Sequence, residues 1–269
     1  MMLELLTMTQ EQLLDFIKSQ VKLLGNNCIV TNQYIYVRNN DKTKPLLVSH
    51  MDTINDAHNI AINKNDIILK NDIISLKKNN EAACLGGDDR VGVYIMLEIM
   101  KNHLNDYDFL FTTNEEIGGL GAKNFIKDYP NLNNTCIIQI DRRGTNHVAT
   151  YGYDNKKLLN ILYDNYKLDV QRGSYTDAVD LSEITNIACF NLACGYYNNH
   201  TTAEYILLYD VVKIHKLLLN DNFIKDMSKQ VYKCNPKLYP RKRKFNCYNC
   251  DNLYNCNECE EMYNDIHLF

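Results

Sequence analysis

Nowhere in the 269 residues does an apolar run approach the roughly 18 to 20 positions that a membrane-spanning helix needs. The opening "MMLELLTMTQ" carries no basic leader and brings in Glu4 early, so we expect a cytoplasmic protein, neither secreted nor membrane-bound. A strong charge of either sign is also missing. The 29 Lys and Arg against 33 Asp and Glu leave a formal net charge of -4, too mild to advertise nucleic acid or a membrane surface as partner. There is no internal repeat. Cysteine pairing is absent from most of the chain: Cys28, Cys84, Cys136, Cys189 and Cys194 stand singly, several in strand-like apolar runs where a thiol packs as a small hydrophobe. That usage points to a reducing, intracellular setting.

What is present is 45% apolar residues, enough for a substantial core. Leu13, Leu14, Ile17, Val21 and Leu24 recur at helical spacing over 9–24, behind a Thr9/Gln12 capping box and before Gly25. "CIVTNQYIYVRN" reads as a strand pair or a bent strand and "PLLVSH" as a covered strand, while the Asn-Asp turns of 58–77 suggest a small antiparallel meander. Helices are expected from Val91 to about His103, near 122–127, over 156–166 and over about 208–227. Strands are expected at "DFLFTT", "TCIIQI" and "CFNLAC", and a strand or hairpin around "HVATYG". This alternation predicts an α/β protein: three layers, α/β/α, around a mostly parallel mixed sheet. After Ser228 the composition changes to prolines, a basic run and five cysteines, dividing the chain into a catalytic domain of residues 1–228 and a linker with a small Cys-rich tail at 229–269.

Several apolar strands end abruptly in metal-competent side chains. "LLVSHMD" delivers His50 and Asp52, "CLGGDD" Asp88 and Asp89, "FLFTTNEE" Glu115 and Glu116, "CIIQID" Asp141, and "NLACGYYNNH" His200. One such ending is ordinarily a turn or a cap; five are hard to assign to capping. Imidazoles mixed with carboxylates suit Zn²⁺, or its neighbours Co²⁺ and Mn²⁺, better than Mg²⁺ or Ca²⁺. Two divalent cations would neutralise the set, so that Glu116 can be held in an interior cleft with Glu115 beside it.

The ordered motifs "HMD" (50–52), "GGDDRVG" (86–92), "NEEIGG" (114–119), "QID" (139–141) and "YYNNHTTAE" (196–204) resemble those of the co-catalytic dizinc exopeptidases, the clan of peptidase T, carboxypeptidase G and the bacterial leucyl aminopeptidases. The resemblance implies that His50, Asp88 and Asp141 hold one metal and that Asp88, Glu116 and His200 hold the other, with Asp88 bridging. It implies that Asp52 orients His50, that Glu115 is the general base, and that the Asp88-Asp89 peptide is cis. Only 58 residues separate Asp141 from His200, too few for an inserted lid of on the order of a hundred residues, which points to the compact aminopeptidase branch. Gly118, Gly119 and Gly121 let the backbone turn away behind the glutamates. Arg142 and Arg143 either steady the acidic cluster, bind a substrate carboxylate or point outward. Asp177 reads as structural or substrate-side, and Tyr196 and Tyr197 as pocket lining or packing.

In the tail, Cys247, Cys250, Cys256 and Cys259 form two Cys-x-x-Cys pairs across a spacer of five residues, short for a zinc ribbon; a structural zinc knuckle is the leading reading, with Cys234 or His267 as substitute ligands, and an iron-sulfur cluster or unligated thiols are the alternatives. "RKRK" at 241–244 leaves a nucleic-acid contact open beside a plain solvated linker. The leading reading is a dizinc aminopeptidase or dipeptidase acting on peptides. An N-acyl amino acid deacylase on the same metals is the alternative. A non-enzymatic binding protein acting through its tail is a third. Side-chain preference and oligomeric state are not readable.

Overall fold

A computed structural model describes residues 1–22, 27–38, 43–77 and 83–235. Twelve strands fall into two sheets. The larger has eight strands: β1 (Cys28–Val30), β2 (Tyr34–Val37), β3 (Leu46–His50), β6 (Asp108–Thr112), β7 (Ile137–Arg142), β8 (His147–Thr150), β9 (Asp169–Arg172) and β10 (Cys189–Ala193), in the order β1-β2-β6-β3-β7-β10-β8-β9. β6, β3, β7 and β10 are mutually parallel, and antiparallel pairings join β2 to β6 and β8 to β10. The smaller sheet orders β11 (Tyr196–Tyr197), β12 (Tyr205–Leu207), β5 (Ile73–Leu76) and β4 (Ile67–Lys70), all antiparallel.

The period-2 alternation of strands builds the three layers. Leu47, Phe109, Phe111, Ile138 and Phe190 face one apolar layer, with Leu13 and Ile17 of α2 (Gln10–Val21), Ile95 and Ile99 of α4 (Gly87–His103), and Val211 and Ile214 of α8 (Leu208–Leu218). Their neighbours Leu46, Val48, Leu110, Ile137 and Cys189 face the other, against Phe125 of α5 (Leu120–Asp128) and Leu181 of α7 (Asp177–Thr185). The central strands are covered on both sides, which is why they read as continuous apolar runs.

The meander expected at 58–77 is the hairpin β4–β5, closed by Asn71 and Asp72 at φ 51° and 62°, the backbone a tight two-residue turn requires. The capping box at Thr9/Gln12 is formed; the positions expected to end that helix, Leu24 and Gly25, lie outside the described residues. The single helix expected over 208–227 is two, α8 and α9 (Asp221–Ser228). Asn220 breaks it, because its side chain accepts from the amides of Asn222 and Phe223 and starts a new helix. The short helices α1 (Met2–Leu5) and α3 (Ile54–Ala57), together with α7 and β9, have no counterpart in the sequence reading. At the other end, residues 229–235 run along the body: Tyr232 and Cys234 are buried, and Lys233 bridges Ile187. The zinc-knuckle cysteines, the basic run and His267 lie outside the described residues. Cys234 is packed with its Sγ 3.4 Å from the Tyr153 carbonyl.

Candidate metal centre and active site

Because β6, β3 and β7 are adjacent and parallel, the segments leaving their carboxyl ends emerge together, where ligands collect in sheets of this kind. His50 ends β3, Glu115 and Glu116 follow β6, and Asp141 lies near the end of β7. Asp88 comes from the start of α4, where the Asp88-Asp89 peptide is cis, and His200 from the connection between β11 and β12. His50 Nε2 lies 3.2 Å from Asp88 Oδ1 and 3.6 Å from Asp141 Oδ1. His200 Nε2 lies 3.3 Å from Asp88 Oδ2 and 2.9 Å from Glu116 Oε1. The two oxygens of Asp88 thus face different imidazoles. All five residues expected to hold metal converge, in two triads sharing Asp88.

Ligand-capable atoms of His50, Asp88 and Glu116 fall within 4.8 Å of one another, and so do those of His50, Asp89 and Asp141. Asp89 is nonetheless occupied with backbone and hydroxyl groups. Its Oδ2 accepts from the Ser49 hydroxyl and, at 3.1 Å, from the His50 amide, and its Oδ1 accepts from the Gly92 amide at 3.1 Å. We therefore assign it to holding β3 against α4 and leave Asp88 and Asp141 as the aspartates that face the imidazoles.

Asp52 does more than face His50. Its Oδ1 is 3.3 Å from His50 Nδ1 and also accepts from the Glu115 amide at 3.0 Å, while Oδ2 accepts from the Glu116 amide at 2.9 Å. One carboxylate thus joins the strand that carries His50 to the turn that carries both glutamates. Behind that turn Gly118 and Gly119 take φ of 107° and 68°, left-handed backbone that favours glycine. Gly121 has a different reason: a Cβ there would stand 2.6 Å from the Gln33 carbonyl.

Buried negative charge is the dominant electrostatic fact. Burial, with the neighbouring charge of Asp88, pushes Asp141 up to about 7. Burial likewise holds Glu115 well above the ordinary glutamate range, assisted by Asp177, Asp141 and Asp88. Burial works against ionised Asp88 too, but hydrogen bonds from His200 and His50 outweigh it and hold this carboxyl low. Those bonds, from Asp88 and Glu116, push His200 up to about 11. Nitrogen and oxygen donors facing one another around compensating positive charge are the chemistry of a metal site, and the residues fit it.

Further side chains support the set, and of these Glu204, Asn199 and Thr176 were passed over by sequence reasoning. Glu204 is buried, and its two oxygens accept from the amides of Gly86 (2.8 Å) and Asp88 (3.2 Å), tying the His200 loop to the turn that carries Asp88. It stood inside a quoted motif without a role. Asn199 donates to Asp88 Oδ2 at 2.7 Å, and Thr176 to Asp141 Oδ2 at 3.1 Å. Tyr196 is buried and donates its hydroxyl to Asp141 Oδ1 at 3.0 Å. Asp177, fully buried at the start of α7, receives the Thr112 hydroxyl on one oxygen and has no partner on the other. Its signal was an acidic residue opening a buried helical stretch. Burial first, with the charges of Arg142 and Arg143, lowers His147, which places that charge on the β8 side.

Imidazoles and carboxylates that could hold metal thus gather at the carboxyl edge of a three-layer sheet, and the comparisons with known proteins support a metal-dependent peptide hydrolase. Residues 50–160 match the family described as M42 glutamyl aminopeptidase, a span that holds His50, Asp88, Glu115, Glu116 and Asp141. Among curated proteins none matches the chain in sequence. Among solved structures, a tripeptidase from Staphylococcus aureus subsp. aureus mu50 is similar at TM-score 0.64 and 15% identity, over 85% of this chain and 97% of that one. Aminopeptidase PepT from Bacillus cereus ATCC 10987 matches at 0.64 and 13%, over 85% and 97%. An aminopeptidase from the archaeon Desulfurococcus kamchatkensis matches at 0.59 and 14%, over 87% and 94%. At these identities the structures speak for the fold, and the family match carries the metal-dependent hydrolysis of peptide bonds. Among the described residues no helix is long and apolar enough to cross a membrane.

Proposed function

We propose that the chain is a dizinc aminopeptidase in which His50, Asp88 and Asp141 hold one metal, Asp88, Glu116 and His200 hold the other, and Glu115 moves the proton. The observation that carries this reading is the division of Asp88 between the two imidazoles. When bound there, two such cations would supply an acidified water and a polarised scissile carbonyl. Glu115 accepts the proton of that water and returns it to the departing amine, a role suited to a carboxyl raised by burial. Asp52 keeps Glu115 and Glu116 in register with His50 through their backbone amides.

A free aminoterminal peptide suits the site better than an acylated amino acid. Beyond the metal-holding carboxylates and Glu115, the buried Asp177 keeps one oxygen without a hydrogen-bond partner, an acceptor for a protonated α-amine rather than for a neutral acyl group. A structural zinc in the Cys247, Cys250, Cys256, Cys259 tail is part of the proposal, supported by spacing. A cytoplasmic setting is supported by six described cysteines that are all free thiols.

The test is metal analysis of the full chain beside hydrolysis of matched aminoacyl and N-acyl amides. We expect about three zinc per chain and cleavage of the aminoacyl set alone. Glu115→Gln should keep the metals and lose about 10²- to 10⁴-fold in kcat. Preferential cleavage of the acylated set would move the assignment to a deacylase, and full activity in Glu115→Gln would remove Glu115 from its role.

A further inference from the structure

We infer that Gln10, the first residue of α2, is a positioning residue of the active site, holding from outside the turn that carries Glu115 and Glu116. The inference rests on the reading of Glu115 as the proton carrier. Gln10 lies 104 positions from Asn114, yet the two meet through a pair of hydrogen bonds. The Asn114 amide donates to Gln10 Oε1 at 2.9 Å, and Gln10 Nε2 donates to Asn114 Oδ1 at 3.2 Å. Asn114 immediately precedes Glu115 and has φ 58°, a left-handed conformation that asparagine tolerates but that needs its amide satisfied.

The same helix start grips the other side of the site. The Gln10 amide donates to Asp56 Oδ1 at 2.9 Å, and Asp56 Oδ2 accepts from the Thr53 amide at 2.9 Å and from Arg90 NH2 at 3.0 Å. Thr53 follows Asp52, and Arg90 follows the aspartate pair of α4. One residue therefore links the Asp52–Thr53 segment and the Asn114–Glu115 turn, which Asp52 joins again from the inside. Asp52 holds the Glu115 amide and Gln10 the Asn114 amide, so releasing Gln10 removes the tether to α2 and leaves the turn to Asp52 and to its own backbone bonds. The metal-facing atoms keep their own partners. The loss should therefore fall on Glu115's placement and spare metal and peptide binding.

Gln10→Ala removes both side-chain bonds and leaves the helix amide bound to Asp56. Gln10→Glu keeps an acceptor for the Asn114 amide, and a turn of the Asn114 carboxamide presents its NH₂ to the new carboxylate. We expect Gln10→Ala to lower kcat about 10- to 100-fold with KM and zinc content unchanged, and Gln10→Glu to recover most of that loss. Independently of turnover, hydrogen exchange in the zinc-loaded protein should speed about tenfold at the amides of Asn114 to Glu116 and stay unchanged in β3 and α4. Unaltered exchange at those amides, a fall in zinc content matching the fall in kcat, or a Gln10→Glu variant as slow as Gln10→Ala would each overturn the inference. A wild-type protein that cleaves no peptide would sink the functional reading instead, and the exchange measurement would still decide whether Gln10 holds the turn.

Discussion

His50 and His200 flank the same aspartate and are held in opposite ways. His50 is 1% exposed at the end of a central strand. Its Nδ1 is fixed by Asp52, its amide by Asp89, and its Nε2 lies between Asp88 and Asp141. His200 is 42% exposed, sits in a connection at φ 61°, and meets Asp88 and Glu116 through Nε2. The interior position is set by folding itself, through groups that are bonded before any metal arrives. The rim position depends on two carboxylates that repel each other until a cation or a proton sits between them. Under the proposed assignment a preformed site and a cation-assembled site would share Asp88, and their affinities should differ.

The bluntest way to break that comparison is to delete each imidazole. His200→Ala should retain about one active-site metal of about two, whereas His50→Ala should retain about none, as read by metal analysis after dialysis. Equal losses would mean that the two positions are equivalent. A finer probe is Asp52→Asn, which keeps the shape but turns one accepting oxygen into a donor facing a backbone amide. Metal affinity should fall about 10- to 100-fold in a competitive chelator titration, with the tighter-bound metal affected more. If only the weaker metal responded, Asp52 would belong to the rim.

The smallest effect sharpens the electrostatic side. In the metal-free protein, burial first of all pushes Asp141 and Asp177 up to about 7 and Glu204 up to about 8. Unfolded carboxyls titrate near ~4, so between that value and about 8 the folded chain binds more protons than the unfolded one. Stability contributed by these groups is therefore present at low pH and is lost as pH rises through the window. The metal-free protein should melt a few degrees lower at pH 8 than at pH 5, and metal loading should shrink or reverse the difference. A metal-free midpoint that climbs over that interval would contradict the assigned charge states.

Legibility followed geometry. The ligand set could be read because a covered strand announces itself as an apolar run and its carboxyl end is where a polar residue becomes conspicuous, as at "LLVSHMD" and "CIIQID". The layers were legible for the same reason. Glu204 and Gln10 were not, because their partners are backbone amides more than a hundred residues away, and a side chain that binds backbone leaves no pattern in residue types. The break at Asn220 was locally encoded but masked by apolar periodicity continuing on both sides. Asp89 matched the ligand pattern as well as Asp88 did, and only its three bonds to β3 and α4 separate them.

The hairpin β4–β5 has a reach beyond its own turn. Inserted between the segments bearing Asp52 and Asp88, it pairs through Ile74 with Ile206 of β12, so one stretch of chain braces the far stretch from which His200 projects. The same sheet also reaches Asp141, through the hydroxyl of Tyr196 in β11. Lengthening, trimming or stiffening the hairpin should accordingly act first on the placement of His200, and on Asp141 through β11.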